Sequence, residues 1–351
     1  MDIRPWLPLA LLLALAGNSA HAANQAETCT GSALREHPPA INFRVDNDLF
    51  GGLNQDQGYT NGALLTFVSP NLADYTNDPC LPRPARWINR YLERLHPGEF
   101  EQQNMIFNVG QGLFTPTDFS RSDLIEDDRP YAAVLLVNFG YNARHGDHLQ
   151  TTQLALGVVG PWAQGKQVQD AVHSLLGDDE FMGWDNQLHN EPVFRLLHER
   201  MQRWPGSNSA GWGWDAISHW GGAIGNLATH ANAGGELRFG WQLPDDFGSS
   251  PQRPAGENTA PTRRGRAEGW AWHLFLTADA RWVLRDITLD GNTFRHSHSV
   301  DKRPFVGEGG YGIAVMRGKW KFALARYYRS REFEGQLARP VFGSFTISRT
   351  L

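Results

Sequence analysis

From about residue 40 to its end, this chain repeatedly sets apolar residues at every second position. The face opposite them carries charge in segment after segment. Ile41, Phe43 and Val45 alternate with Asn42, Arg44 and Asp46. Leu237, Phe239, Trp241 and Leu243 alternate with Glu236, Arg238, Gly240 and Gln242. Trp270, Trp272, Leu274 and Leu276, with Trp282 and Leu284 further on, oppose His273, Thr277, Asp279, Arg281 and Arg285. Val341, Gly343, Phe345 and Ile347 oppose Ser344, Thr346 and Ser348, while Met105, Phe107 and Val109 repeat the pattern with Ile106 breaking its polar face. A period of two marks a strand with two unlike faces. A soluble sandwich also alternates, so the charge decides. Buried in a packed core, unpaired Arg, Asp and Glu would each cost several kcal/mol. In the polar lumen of a membrane barrel, whose other face meets lipid, they are ordinary. The pattern predicts an all-β fold, an antiparallel transmembrane β-barrel.

Composition agrees. The chain holds 13 Trp, 19 Phe and 37 Gly, a pairing that suits aromatic girdles and Gly-rich strands. A net charge of -5 argues against a nucleic-acid partner. Arg4, the apolar run Trp6 to Ala16 and the Ala20-His21-Ala22 site read as a secretory signal peptide over residues 1–22. Residues 23–351 then form one barrel domain. No other stretch approaches the roughly 18 apolar residues of a membrane-spanning helix. Cys29 and Cys80 are either a disulfide, which an oxidising compartment favours, or two buried thiols.

About twelve strands are expected, an even number as in bacterial barrels. Their spans are 40–49, 59–69, 103–114, 131–143, 149–159, 191–203, 212–224, 231–243, 268–287, 304–317, 319–331 and 339–351. Residues 191–204 read equally well as helix. Turns at Arg144–His148 and Arg317–Lys319 are short, and short turns normally face the periplasm. Starting the first strand there puts both on that side. The connections 50–58, 115–130 and 160–190 then lie outside, and Cys29 joins the 70–102 loop, with a short amphipathic helix at 86–92, in the periplasm.

The outer connections gather the chemistry. Gln164 to Leu176 reads as a helix with Val168, Ala171, Val172, Leu175 and Leu176 on one apolar face, ended by Gly177. His173 sits beside that face, where it can point toward the wall on which the helix packs. A lone His is more often structural or solvated, yet His is the side chain best suited to general-base work near neutral pH. Asn47-Asp48 closes the first strand, either as turn residues or as oxygen ligands. Thr60 is either an ordinary strand residue or part of the same rim. Arg129 either pairs with Asp127 and Asp128 or joins them too. A carboxylate, an amide, a hydroxyl, a guanidinium and an imidazole on one membrane-facing rim suggest a hydrolase rather than a pore.

Several motifs resemble the lipid A 3′-O-deacylases of Gram-negative outer membranes. They are the Asn47-Asp48 strand end, Gly58-Tyr59-Thr60-Asn61-Gly62, Asp128-Arg129-Pro130-Tyr131, and Gly157 to Pro161 followed by Gly165 to Gln169 and Val172-His173. The run Arg285 to Asn292 is similar as well. The resemblance implies a twelve-stranded barrel whose site lies between the outer wall and a loop helix. It implies calcium-dependent removal of an ester-linked, 3′-O-linked acyloxyacyl chain from lipid A in the outer leaflet, with no obligate protein partner. His173 would be the base, Asp48 would hold Ca2+, and Asn47 and Thr60 would line the metal and carbonyl site. The family's basic pair matches only Arg121 followed by Ser122, so the second cation is absent here or comes from elsewhere, with Arg129 the candidate. The acidic residue after the His matches Asp179 loosely, and Leu351 stands where a terminal Phe is common. The rival readings are a channel or lipopolysaccharide-binding barrel without catalysis, and an outer-membrane phospholipase.

Overall fold

The computed structural model describes residues 38–47, 58–69, 100–176, 180–248 and 269–351. Twelve antiparallel strands close into a barrel in sequence order, β12 pairing back onto β1. They are β1 Ala40–Asn47, β2 Gly58–Val68, β3 Gln102–Thr115, β4 Ala132–His145, β5 His148–Val159, β6 Glu191–Ser209, β7 Trp212–Ile224, β8 Ala228–Trp241, β9 Trp270–Asp286, β10 Phe305–Arg317, β11 Trp320–Arg329 and β12 Val341–Thr350. Helix α1 spans Gly165–Leu176 and the short α2 spans Ile287–Asp290. Closure removes every free strand edge, which a lipid-embedded sheet requires. The region 191–204, open to either reading, is strand. Its alternation is blurred because Val193, Leu197 and Met201 are buried while Phe194 and Leu196 are exposed on the other face. Cys29, Cys80, residues 1–22 and the 86–92 helix lie outside the described residues.

The two faces separate as the alternation requires. Phe43, Leu65, Phe67, Phe139, Leu276 and Leu324 stand exposed on the outside. Around the short turn at 210–211, Trp212 stacks on Phe239 and meets Trp241 and Trp272 edge-on, with centroids 5.5–5.7 Å apart. Such belts suit a membrane–water boundary.

Inside, charge is paired with charge. At the short-turn end the fully buried Arg238 bonds both oxygens of Asp215 at 2.8 and 2.7 Å and also holds Asp246. Arg144 bonds Asp245 at 2.7 Å, and Arg203 bonds Asp215 at 2.8 Å. Midway, His219 lies 3.0 Å from Asp279. Near the long loops, Arg329 bonds Glu308 at 2.7 Å and Glu332 at 3.2 Å. Most of these bridges brace neighbouring strands along the inner wall, Asp215 and Arg238 being direct register partners, while Arg144 reaches Asp245 from four strands away.

Burial opposes ionisation of Asp246, but Arg238, with Lys321 and His273, outweighs it and holds the carboxyl well below the usual carboxylate range. A depressed folded-state pKa adds stability above the unfolded value and loses it only as pH falls through the folded one. This brace therefore survives mild acid. Arg238→Ala removes the cation that Asp215 and Asp246 share, leaving Asp215 only Arg203 at 2.8 Å and Asp246 only Lys321 at 3.6 Å, and breaking a buried pair this way costs about 3–5 kcal/mol. A urea titration of the refolded barrel in detergent should show a markedly lower midpoint, while an unchanged midpoint would contradict the brace.

Candidate functional site

The candidate site is built on the outer wall of β1–β4 at the long-loop end. On β1, Asp46 turns inward and is held by Tyr59 Oη at 2.8 Å, Ser344 Oγ at 2.6 Å and Arg44 at 3.2 Å. Tyr59 reaches it by lying across Gly62, where any Cβ would fall 1.8 Å from the phenol oxygen. Fixing Asp46 inward turns its neighbour Asn47 outward. There Asn47 Nδ2 donates to Asn61 Oδ1 at 2.5 Å. A bulge in β2 between Tyr59 and Asn61 releases Thr60 from the ladder. Such bulges re-aim side chains beside functional sites. The Thr60 and Thr115 hydroxyls meet at 2.6 Å, fully buried.

The segment 160–190 folds over this wall. Gly160 N bonds Ala133 O, Leu188 N bonds Tyr131 O, and Gln111 Nε2 donates to Ala163 O at 2.5 Å. Leu113, Tyr131, Ala133, Ala163, Phe181 and Trp184 form one apolar cluster between wall and segment. Gly165 allows the close approach of α1, because a Cβ there would fall 2.4 Å from the Ala133 methyl. Gln169 is buried and accepts from Trp184 Nε1 at 2.9 Å. One turn later, His173 is 3% exposed and meets Phe181 edge-on at 5.1 Å.

Here the helix departs from expectation. Its buried face carries Gly165, Gln169 and His173, whereas Val168 is 38% exposed and Ala171 is exposed too. Val168 and Ala171 share the outward side of the helix with Gln167 and Ser174, and Val172 is half-buried. His173 thus reaches the wall on the polar face.

Asn47 and His173 lie at the two ends of one line of packed residues, and Thr60 stands beside Asn61 on that line. Asn47 touches Asn61, Asn61 pairs in register with Leu113, and Leu113 shares its cluster with Phe181, which holds His173. Asp48 and Asp179 lie outside the described residues. Arg121 sits on the adjoining 116–131 loop, its guanidinium engaged by Asp123 at 2.5 and 3.1 Å and half exposed.

Arg129 does not join them, and the expectation that it supplies the missing cation is corrected. It points into the lumen, 4.9 Å over Phe114, and bonds Thr288 Oγ1 at 2.9 Å and Glu332 at 3.3 Å. It locks the 116–131 loop to α2 and to the β11–β12 connection. Sequence reading missed Asn61, Thr115 and Gln169. Asn61 lay within the quoted Gly-Tyr-Thr-Asn-Gly run, and Gln169 precedes His173 by one helical turn. Nothing local marked Thr115.

Tyr131, in the covering cluster, has its phenol pushed up to about 12 by burial, so it stays protonated at neutral pH. The wall donors Asn47, Asn61, Thr60 and Thr115 are neutral oxygen groups. Among the described residues no cluster of three His, Cys, Asp or Glu could hold a metal. Hard oxygens of this kind suit calcium rather than a soft metal.

The fold defines a closed twelve-stranded antiparallel β-barrel of the outer-membrane kind. The family model described as outer membrane protein LpxR matches residues 7–351, and the chain belongs to that family. Among solved structures, LpxR from Salmonella typhimurium is 17% identical, with a TM-score of 0.71 over 89% of this chain and all of that one. At that identity the likeness speaks for the fold. The β domain of the Bordetella autotransporter BrkA covers 89% of this chain and 98% of its own at 9% identity, with a TM-score of only 0.40. No curated protein matches the sequence.

Proposed function

We propose that this protein is an outer-membrane hydrolase that removes an ester-linked, 3′-O-linked acyl chain from lipid A, with His173 as general base. The observation that carries the reading is the burial of His173 under the helix that covers the outer wall, against Phe181 of the cluster that packs on β3 and β4. A site on the wall is reached from the outer leaflet, where a lipid's acyl chains lie. The long loops then face the cell exterior.

In this reading His173 takes a proton from water as the water oxygen attacks the ester carbonyl carbon. The carbonyl–oxygen bond to the sugar breaks, and His173 returns the proton to the leaving alkoxide. Asn47, Asp48 and Thr60 are the residues that would hold Ca2+, which when bound supplies a Lewis acid for charge on the carbonyl oxygen. Gln169 and Trp184 set the angle of α1 and so the position of the imidazole. The apolar cluster of Leu113, Phe181 and Trp184 excludes bulk water. The channel reading is disfavoured by ion pairs that join distant parts of the barrel through the lumen, Arg129 with Glu332 and Arg144 with Asp245.

Purified protein in detergent, given lipid A or a glycerophospholipid with calcium, tests the substrate. Release of fatty acid from lipid A alone supports the reading. Release from the phospholipid alone would replace it with a phospholipase.

A further inference from the structure

The strand register runs a line of residues along the outer wall away from the site. Asn61 on β2 pairs with Asn47 on β1, Asn47 with Gly343 on β12, Gly343 with Arg326 on β11, and Arg326 with Tyr311 on β10. Every member of that row faces outward. On β11 the outward column reads Trp320, Phe322, Leu324, Arg326 and Tyr328, and the first three are exposed apolar residues. Arg326 is therefore a guanidinium set in a lipid-facing wall, toward the long-loop end.

Charged side chains on a lipid face are costly and rarely kept without a partner. Among the described residues no carboxylate pairs with Arg326, and its buried Nε has no hydrogen-bond partner. What surrounds it is aromatic. Its guanidinium lies 5.4 Å from the Tyr328 ring centroid, and Tyr328 stacks with Tyr311 at 6.3 Å. Between Arg326 and Asn47 stands only Gly343, with no side chain to part them.

We propose that Arg326 is a substrate-positioning residue that binds a sugar-linked phosphate of the lipid headgroup while the ester lies against Asn47 and His173. This rests on the deacylase reading. A planar fork of donors suits a phosphate, and Tyr311 and Tyr328 offer the sugar a flat aromatic surface. Arg121, engaged by Asp123, and Arg129, turned into the lumen, leave this role open on their side of the site.

The test uses the full barrel in detergent with two substrates, phosphorylated lipid A and the same lipid A stripped of phosphate. Wild type should show a KM about ten-fold or more lower for the phosphorylated form, the usual scale of a charge-assisted hydrogen bond. Arg326→Met, which suits a lipid-facing wall, should erase that preference through KM rather than kcat, and Arg326→Lys should restore part of it. An undiminished preference in Arg326→Met, or an equal loss on both lipids, would overturn the proposal, the second pointing to a structural role. If wild type hydrolyses neither lipid, the deacylase reading fails on its own. Capture of phosphorylated lipid A by His173→Ala and by His173→Ala/Arg326→Met then decides. Ten-fold weaker capture by the double variant sustains the phosphate site, and equal capture overturns it.

Discussion

His173→Ala should lower ester hydrolysis by about 10²- to 10⁴-fold, the range spanned by a lost general base. The barrel should remain folded, since His173 belongs to the covering helix rather than to the strand ladder that closes the sheet. His173→Gln refines the test. It nearly keeps the volume packed against Phe181 and can still hydrogen-bond, but it cannot take a proton near neutral pH. Loss of activity in both variants, with the urea midpoint close to wild type, identifies the imidazole as the base. Activity retained in the Gln variant would assign His173 to packing.

The second large effect concerns the metal. Chelation should reduce activity by about 10²- to 10³-fold, the scale seen when oxyanion stabilisation is removed. Added calcium should restore the wild type. Asp48→Ala should lose a similar factor and fail to recover at the same calcium level, because Asn47 and Thr60 alone offer neutral donors. Magnesium is expected to substitute poorly, since it holds its waters and demands a tighter octahedron. Full activity after chelation would remove calcium from the account and leave His173 acting with the wall amides.

Much of the barrel was legible because a period of two records directly which face meets lipid. The strand at 270–286 matched within two residues, since Trp270, Trp272, Leu274 and Leu276 face out while Asp279 and Arg281 face in. β6 was legible only as one of two readings, because Val193, Leu197 and Met201 pack inward while Phe194 and Leu196 are exposed on the outer face. The site was half legible. Asn47 and Thr60 mark strand ends, and His173 stands on a recognisable helix. The helix's apolar stripe did not mark its buried face, because Gln169 and His173 are buried on the wall while Val168 and Ala171 are exposed. Arg129 was placed on the wrong side of the wall. Its direction is set by Thr288 and Glu332, far along the chain. Arg326 could not be found from sequence at all. Its nearness to Asn47 exists only through β12, which pairs with β1 when the barrel closes.

The most direct test of the central claim is mass spectrometry of lipid A from Gram-negative cells expressing wild-type protein or His173→Ala. The account predicts a new lipid A species lighter by one ester-linked acyl or acyloxyacyl unit, formed by wild type only. Lipid A of unchanged mass beside a folded wild-type barrel, under conditions that supply calcium, would contradict it.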